Sequence, residues 1–86
     1  MNPYRIEVLK SAQKSLSKLP KDIQARIVKK IDNLVIDPYP TDTKKLKDGN
    51  GLFRVRVGDY RIVYKVQNNE LIILIVKIAH RREVYE

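Results

Sequence analysis

The chain has 86 residues, no cysteine and one histidine, and its 18 Lys and Arg outweigh 10 Asp and Glu to give a net charge of +8. A chain of this length buries only about 60% of its unfolded surface, so residues 1–86 are read as a single domain around one modest core. The lack of thiols excludes a disulfide framework and a thiolate metal site; with no signal-peptide-like start, and a longest apolar run (Leu71 to Val76) far too short to span a bilayer, a soluble cytoplasmic protein is expected.

Tyr4 to Leu9 reads as a strand, with Tyr4, Ile6 and Val8 alternating against Arg5 and Glu7. Ser11 is the expected N-cap of a short helix that turns Leu16 and Leu19 to the core. Pro20 breaks the chain and opens a second helix, predicted to run from Pro20 to Ile36. Ile23, Ile27, Val28, Ile31, Leu34 and Val35 form its apolar stripe, and Lys29 and Lys30 are most simply its solvated face. Pro38 and Pro40 stop it. The two helices are expected as an antiparallel hairpin lying across a sheet.

Asp37 to Gly51 reads as loop and carries Lys44, Lys45 and Lys47. Three short strands follow within Leu52 to Tyr85. Gly58-Asp59 has the form of a two-residue hairpin turn, because glycine supplies the positive φ such turns need. That turn sets a register. Val57 falls opposite Tyr60, Arg56 opposite Arg61 and Arg54 opposite Val63. Directly opposed residues share a face. Arg54, Arg56, Arg61 and Lys65 therefore take one face, and Phe53, Val55, Val57, Tyr60, Ile62 and Tyr64 take the face toward the helices. Asn68-Asn69 is the next predicted turn. Leu71 to Val76 is apolar throughout, as in a central strand buried on both faces. The residues from Ala79 to Glu86 are expected to cross the end of the sheet.

The balance of +8 points to a polyanionic partner, nucleic acid before an acidic protein; a role in solubility alone is the plainer alternative. A membrane surface fits poorly, because no Trp/Phe-rich amphipathic helix is present. Arg56 facing Arg61 costs a few tenths of a kcal/mol or more. A local rule broken without structural gain marks a functional site; two arginines splayed into water is the competing reading. No metal-ligand spacing, serine or cysteine triad, or glycine-rich phosphate loop appears, so no metal and no cofactor are expected. An arginine-rich face with tyrosines nearby suits cleavage of RNA by the substrate's own 2′-OH, the protein aligning the nucleophile and stabilising the phosphorane. Tyr85 either stacks on a base or packs on the sheet edge. His80 is either structural or a proton carrier.

The order strand, two helices, three strands resembles the RelE/ParE superfamily of bacterial toxins. So do Leu46-Lys47 with the glycine-containing loop after it, the segment from Arg54 to Tyr64, and the ending Ile78-Ala79-His80-Arg81-Arg82-Glu83-Val84-Tyr85. The ending looks more like the RelE branch. The resemblance implies an α+β fold: an N-terminal strand, a two-helix antiparallel hairpin and a three-stranded antiparallel sheet. It implies a ribosome-dependent endoribonuclease that cuts messenger RNA in the A site. It further implies an acidic, RelB-like antitoxin, a toxin–antitoxin hetero-oligomer and no membrane partner. By resemblance Arg54, Arg56, Arg61, Arg81 and Tyr85 are the catalytic positions. Arg61 and Arg81 would hold the scissile phosphate, with Arg81 also protonating the leaving oxygen, and Tyr85 would orient the base. Lys44, Lys45, Lys47, Lys65 and Arg82 would bind RNA or ribosome.

Members often carry lysine where Arg54 and Arg56 stand, and arginine is a poor base. Either these arginines only stabilise charge, or a group such as His80 or Tyr85 takes the proton. Glycine is also common where Ala79 stands. Two other classes remain open: a ParE-like non-enzymatic inhibitor of DNA gyrase, and a basic nucleic-acid-binding module without catalysis.

Overall fold

A computed structural model of the chain describes residues 4–46 and 51–84. Strand β1 (Arg5–Val8) leads into helix α1 (Lys10–Ser17) and helix α2 (Lys21–Ile36). Four strands follow: β2 (Lys44–Lys45), β3 (Leu52–Val57), β4 (Tyr60–Gln67) and β5 (Ile72–His80), with a 3-10 turn at Arg81–Glu83. The strands form one sheet in the order β1-β5-β4-β3-β2. β1 runs parallel to β5, and the other pairs are antiparallel.

The fold is the expected α+β arrangement, with four strands rather than three after the N-terminal one, and all five joined in one sheet. The N-terminal strand joins the sheet beside β5, which the two helices between them make possible: a parallel pair needs a crossover connection. β2 is the unexpected strand. Its two residues are both exposed lysines, so no alternation signals it. It exists because β3 offers an unpaired edge, which Lys44 and Lys45 meet opposite Arg54 and Phe53.

Both helices cover one face of the sheet. Ala12 of α1 and Ile27, Ile31 and Leu34 of α2 are buried against Val55, Val57, Ile62, Tyr64, Ile73, Ile75 and Ile78. α2 begins at Lys21, one residue past the expected start at Pro20, and ends at Ile36 as expected. α1 departs from expectation: it starts at Lys10 after Leu9, and Ser11 lies inside its first turn rather than at its cap. The Leu9 N–H is already bonded to the Ile75 carbonyl, so the chain passes from strand to helix without a capping side chain. Gln24 bridges the two helices by donating to the Leu19 carbonyl at 2.8 Å, which satisfies a carbonyl just past the end of α1.

The turn after β4 also differs. The positive φ of 56° belongs to Leu71, not to Asn68 or Asn69. The Leu71 carbonyl accepts the Arg5 N–H at 2.9 Å, so entry of β1 into the sheet sets that conformation from outside the turn.

The 37–43 segment is tied down at two points. The Tyr64 hydroxyl, beneath it, donates to the Pro38 carbonyl at 2.6 Å and lies 3.2 Å from Thr43 Oγ1. Lys30 Nζ meets the Asp42 carboxylate at 3.0 Å. Burial by itself would raise the Asp42 pKa, but the Lys30 hydrogen bond and charge, with the backbone N–H groups of Asp42 and Arg56, hold it below the ordinary 3.8. A carboxyl depressed in the folded state adds stability above its unfolded pKa and loses it as pH falls through the folded value. Asp42→Asn should therefore flatten the decline of stability below about pH 4, by about 0.5 kcal/mol at low salt and less at high salt, because the pair is partly solvated. Urea unfolding at pH 7 and pH 3 checks this.

Candidate functional site

The β3–β4 register is the one the Gly58-Asp59 turn predicts: Arg56 opposite Arg61, Arg54 opposite Val63, Val57 opposite Tyr60. Gly58 alone in the turn has positive φ, at 57°, in the first central position that a type II′ turn reserves for glycine. The sheet face away from the helices thus carries Arg54, Arg56 and Arg61. Among the strands, the one carboxylate on that face is Glu7, which lies 3.4 Å from Arg5.

The arginines do not form a uniformly solvated surface, which corrects the expectation of a plain cationic face. Arg54 is 3% exposed and Arg61 6% exposed, while Arg56 is exposed. Val63, Ile72 and Ala79 are buried on the same face. Arg61 turns back along its own strand and donates from Nη1 to the carbonyls of Tyr60 at 3.2 Å and Gly58 at 3.4 Å. The opposed pair is thereby separated, Arg61 inward to the hairpin and Arg56 outward at the edge of β3. A guanidinium fixed in low dielectric exerts a stronger field than one in water, and it needs little reorganisation to meet an anion.

Arg81 reaches this place through the backbone. β5 pairs with β4 up to His80 opposite Tyr60, and the Arg81 N–H then donates to the Asp59 carbonyl at 2.7 Å. This bond seats the first residue of the 3-10 turn beside the hairpin tip, at the end of the sheet where Arg56 and Arg61 face each other. Arg81 and Arg82 are both exposed there. Lys44, opposite Arg54, is also exposed at this side.

Other expected residues lie elsewhere. His80 shares the helix face with Tyr60, and their rings meet edge-on at 5.6 Å. Its Nδ1 accepts the Arg82 N–H at 3.3 Å. His80 is therefore on the wrong side of the sheet to exchange a proton at the arginine face. Lys45 pairs with Phe53, which also puts it on the helix face by register. Lys65 lies four residues along β4 from Arg61, about 13 Å away at the rise of a strand. Lys47 and Tyr85 fall outside the described residues. Arg26 was not singled out by the sequence: its guanidinium lies over Gly58, 3.5 Å from where a β-carbon there would sit. The signal was present in the polar stripe Arg26, Lys29, Lys30, Asn33, which follows the helical period.

Among the described residues no group of His, Cys, Asp and Glu is placed to hold a metal ion, and no helix is long and apolar enough to cross a membrane. What the face offers is fixed positive charge and guanidinium donors.

The family model described as "ParE toxin of type II toxin-antitoxin system, parDE" matches residues 6–85. The chain belongs to this RelE/ParE superfamily of type II toxin–antitoxin toxins. Its named relatives set it on the RelE-like side. It is 33% identical to a protein of Methanocaldococcus jannaschii named RelE1, with 96% of each chain covered. It is 31% identical to "Toxin RelE" of Mycobacterium tuberculosis, covering 98% of this chain and 88% of that one. The toxin in the crystal structure of the archaeal RelE-RelB complex from Pyrococcus horikoshii superimposes with a TM-score of 0.82 at 34% identity, covering 98% of this chain and all of the other.

Proposed function

We propose that this toxin is a ribosome-dependent endoribonuclease that cuts messenger RNA in the A site, and so acts in the cytoplasm. The observation that carries the reading is the 2.7 Å bond from the Arg81 N–H to the Asp59 carbonyl, which seats a C-terminal arginine against the hairpin arginines. In the proposed reaction the ribose 2′-OH gives up its proton to solvent as its oxygen attacks the adjacent phosphorus. The bond from phosphorus to the 5′-oxygen breaks, leaving a 2′,3′-cyclic phosphate and a 5′-hydroxyl. Arg61 and Arg81 hold the phosphate and stabilise its developing charge, and Arg81 delivers the proton to the leaving oxygen and takes one back from solvent. Arg54 adds a buried charge beneath the site and Arg56 an exposed one beside it. With no base supplied by His80, alignment and charge stabilisation carry the rate.

Primer extension on messenger RNA in a purified translation system tests this. New 5′ ends at A-site codons are expected with ribosomes present, absent without them, and lost in Arg81→Ala. The family model's ParE name favours one second reading, a non-enzymatic inhibitor of DNA gyrase. That reading predicts intact messenger, inhibited supercoiling and no effect of Arg81→Ala.

The solved relatives from P. horikoshii and M. tuberculosis are toxin–antitoxin complexes. By that likeness an acidic RelB-like antitoxin is the partner of this chain, in a hetero-oligomer, and blocks or distorts the arginine face. Saturating antitoxin should suppress cleavage; equal cleavage by free and bound toxin would exclude that mode of control.

A further inference from the structure

We infer that a second phosphate-binding site lies in the cleft between α2 and the outer edge of β3, where it grips the RNA strand beyond the reacting phosphate. The cleft has a volume of about 370 Å³, and Arg26, Lys29, Lys30 and Asn33 of α2 line it opposite Arg56 and Gly58. Lys30 of the lining is paired with Asp42 at 3.0 Å. Among the described residues the ion pairs are Arg5–Glu7 and Lys30–Asp42, so Arg26, Lys29 and Arg56 are not held in ion pairs with any carboxylate of those residues. Three cations outside any ion pair around one concavity repel each other, and a bound anion relieves that repulsion.

Lys29 by itself is a solvated helix residue and needs no explanation. The convergence of two distant stretches of sequence is what calls for one. The Arg26 guanidinium nitrogens lie 3.5 and 3.6 Å from the position of a β-carbon at Gly58, so the bare hairpin backbone lets the planar group rest against it. Arg26 is exposed there, and its fork of donors matches a phosphate.

Arg56 belongs both to this cleft and, through its position opposite Arg61, to the arginine face. The two sites are therefore contiguous around the edge of β3, as one polyanionic strand requires. Val57 is the one apolar side chain in the lining. A docking protein segment needs apolar anchors, whereas a phosphodiester backbone needs only cations and N–H donors. The exposed apolar residues of α2 and its following loop, Val28 (expected on the apolar stripe, but exposed), Ile36 and Tyr39, lie outside this cleft. The inference deepens the ribonuclease reading and takes from it the identity of the strand as RNA.

The test is fluorescence anisotropy with a labelled, fully 2′-O-methylated RNA oligonucleotide, which has no 2′-OH to attack, titrated over a salt series. Arg26→Ala/Lys29→Ala is compared with wild type and with Lys10→Ala/Lys14→Ala, which removes the same charge from exposed positions on α1. The cleft variant should lose about tenfold or more in affinity, and its salt slope should fall by about 1.4, at about 0.7 per phosphate contact on a single strand. The α1 variant should stay near wild type. Equal losses in both variants, no loss in the cleft variant, or no binding by wild type would each overturn the site. So would a cleft variant that loses binding of polyglutamate while keeping that of RNA. In the ribosome assay the cleft variant should raise the half-saturating ribosome concentration and keep kcat. A wild type that binds the oligonucleotide through the cleft but never cleaves would sink the ribonuclease reading and leave the site standing. Cleavage and binding untouched by the cleft variant would do the reverse.

Discussion

Arg61→Ala is expected to lower A-site cleavage by about 10²–10³-fold, the usual cost of removing one group aimed at transition-state charge. Arg61 is held firmly on the site face. It is 6% exposed, bonds to the carbonyls of Tyr60 and Gly58, and lies between Arg56 and Ala79 in the sheet. Its charge works in a poorly solvated setting, where an interaction with a phosphorane is screened least. The loss should fall on kcat more than on KM, because charge accumulates on the phosphate during the reaction. Arg61→Lys keeps the charge but not the planar fork, and an intermediate loss is expected. Emptying a buried position also costs stability, so the thermal midpoint is measured alongside. A folded Arg61→Ala protein that cleaves within about threefold of wild type would remove the arginine face from the mechanism.

Tyr64→Ala is expected to destabilise the protein by about 3–5 kcal/mol, as for other buried aromatic truncations. That is a large share of the roughly 5–10 kcal/mol available to a domain of this size. Tyr64 is fully buried at the centre of the core, its ring 6.0 Å from that of Phe53. Its hydroxyl is the bolt that fastens the 37–43 segment, through Pro38 and Thr43. Tyr64→Phe separates the two contributions. It keeps the ring, leaves the Pro38 carbonyl without that donor, and should cost about 1–2 kcal/mol. Burial raises the Tyr64 hydroxyl pKa above 10.0; the Thr43 hydrogen bond opposes the shift and the charges of Tyr39, Asp42 and Asp37 assist it. The unfolded chain therefore ionises first as pH rises, and stability falls above about pH 10. Tyr64→Phe should blunt that alkaline loss. Urea midpoints at pH 7 and pH 10.5 measure both effects, and a Phe variant as stable as wild type would show that the bolt carries nothing.

Much of the site was legible because a tight hairpin leaves little freedom. Once Gly58 and Asp59 are the loop, the pairing of Arg56 with Arg61 and of Arg54 with Val63 follows by counting. β5 was not legible in the same way. It pairs with β4 across a register shift after Val63, which leaves Val76 as an extra residue. A bulge of this kind is decided by the partner strands. It sets which residues follow Val63 and Arg61 across the sheet, and hence that Ala79 shares the arginine face while His80 turns to the helices. The burial of Arg54 and Arg61 was also hidden, since alternation tells which face a side chain takes and not how much solvent reaches it.

The sequence by itself determined the α+β class, the span of α2, the hairpin register and the family resemblance, because each rests on local periodicity or on short spacings. The tertiary structure decided the rest. β2 formed only because β3 had an open edge, and Leu71 adopted a left-handed conformation as β1 paired beside the turn. Arg81 reached the hairpin through one backbone hydrogen bond across the end of the sheet, and Arg26 reached Gly58 from a separate element. Those contacts join residues far apart in the chain, and their geometry is set by the packing of whole elements, which no local spacing encodes.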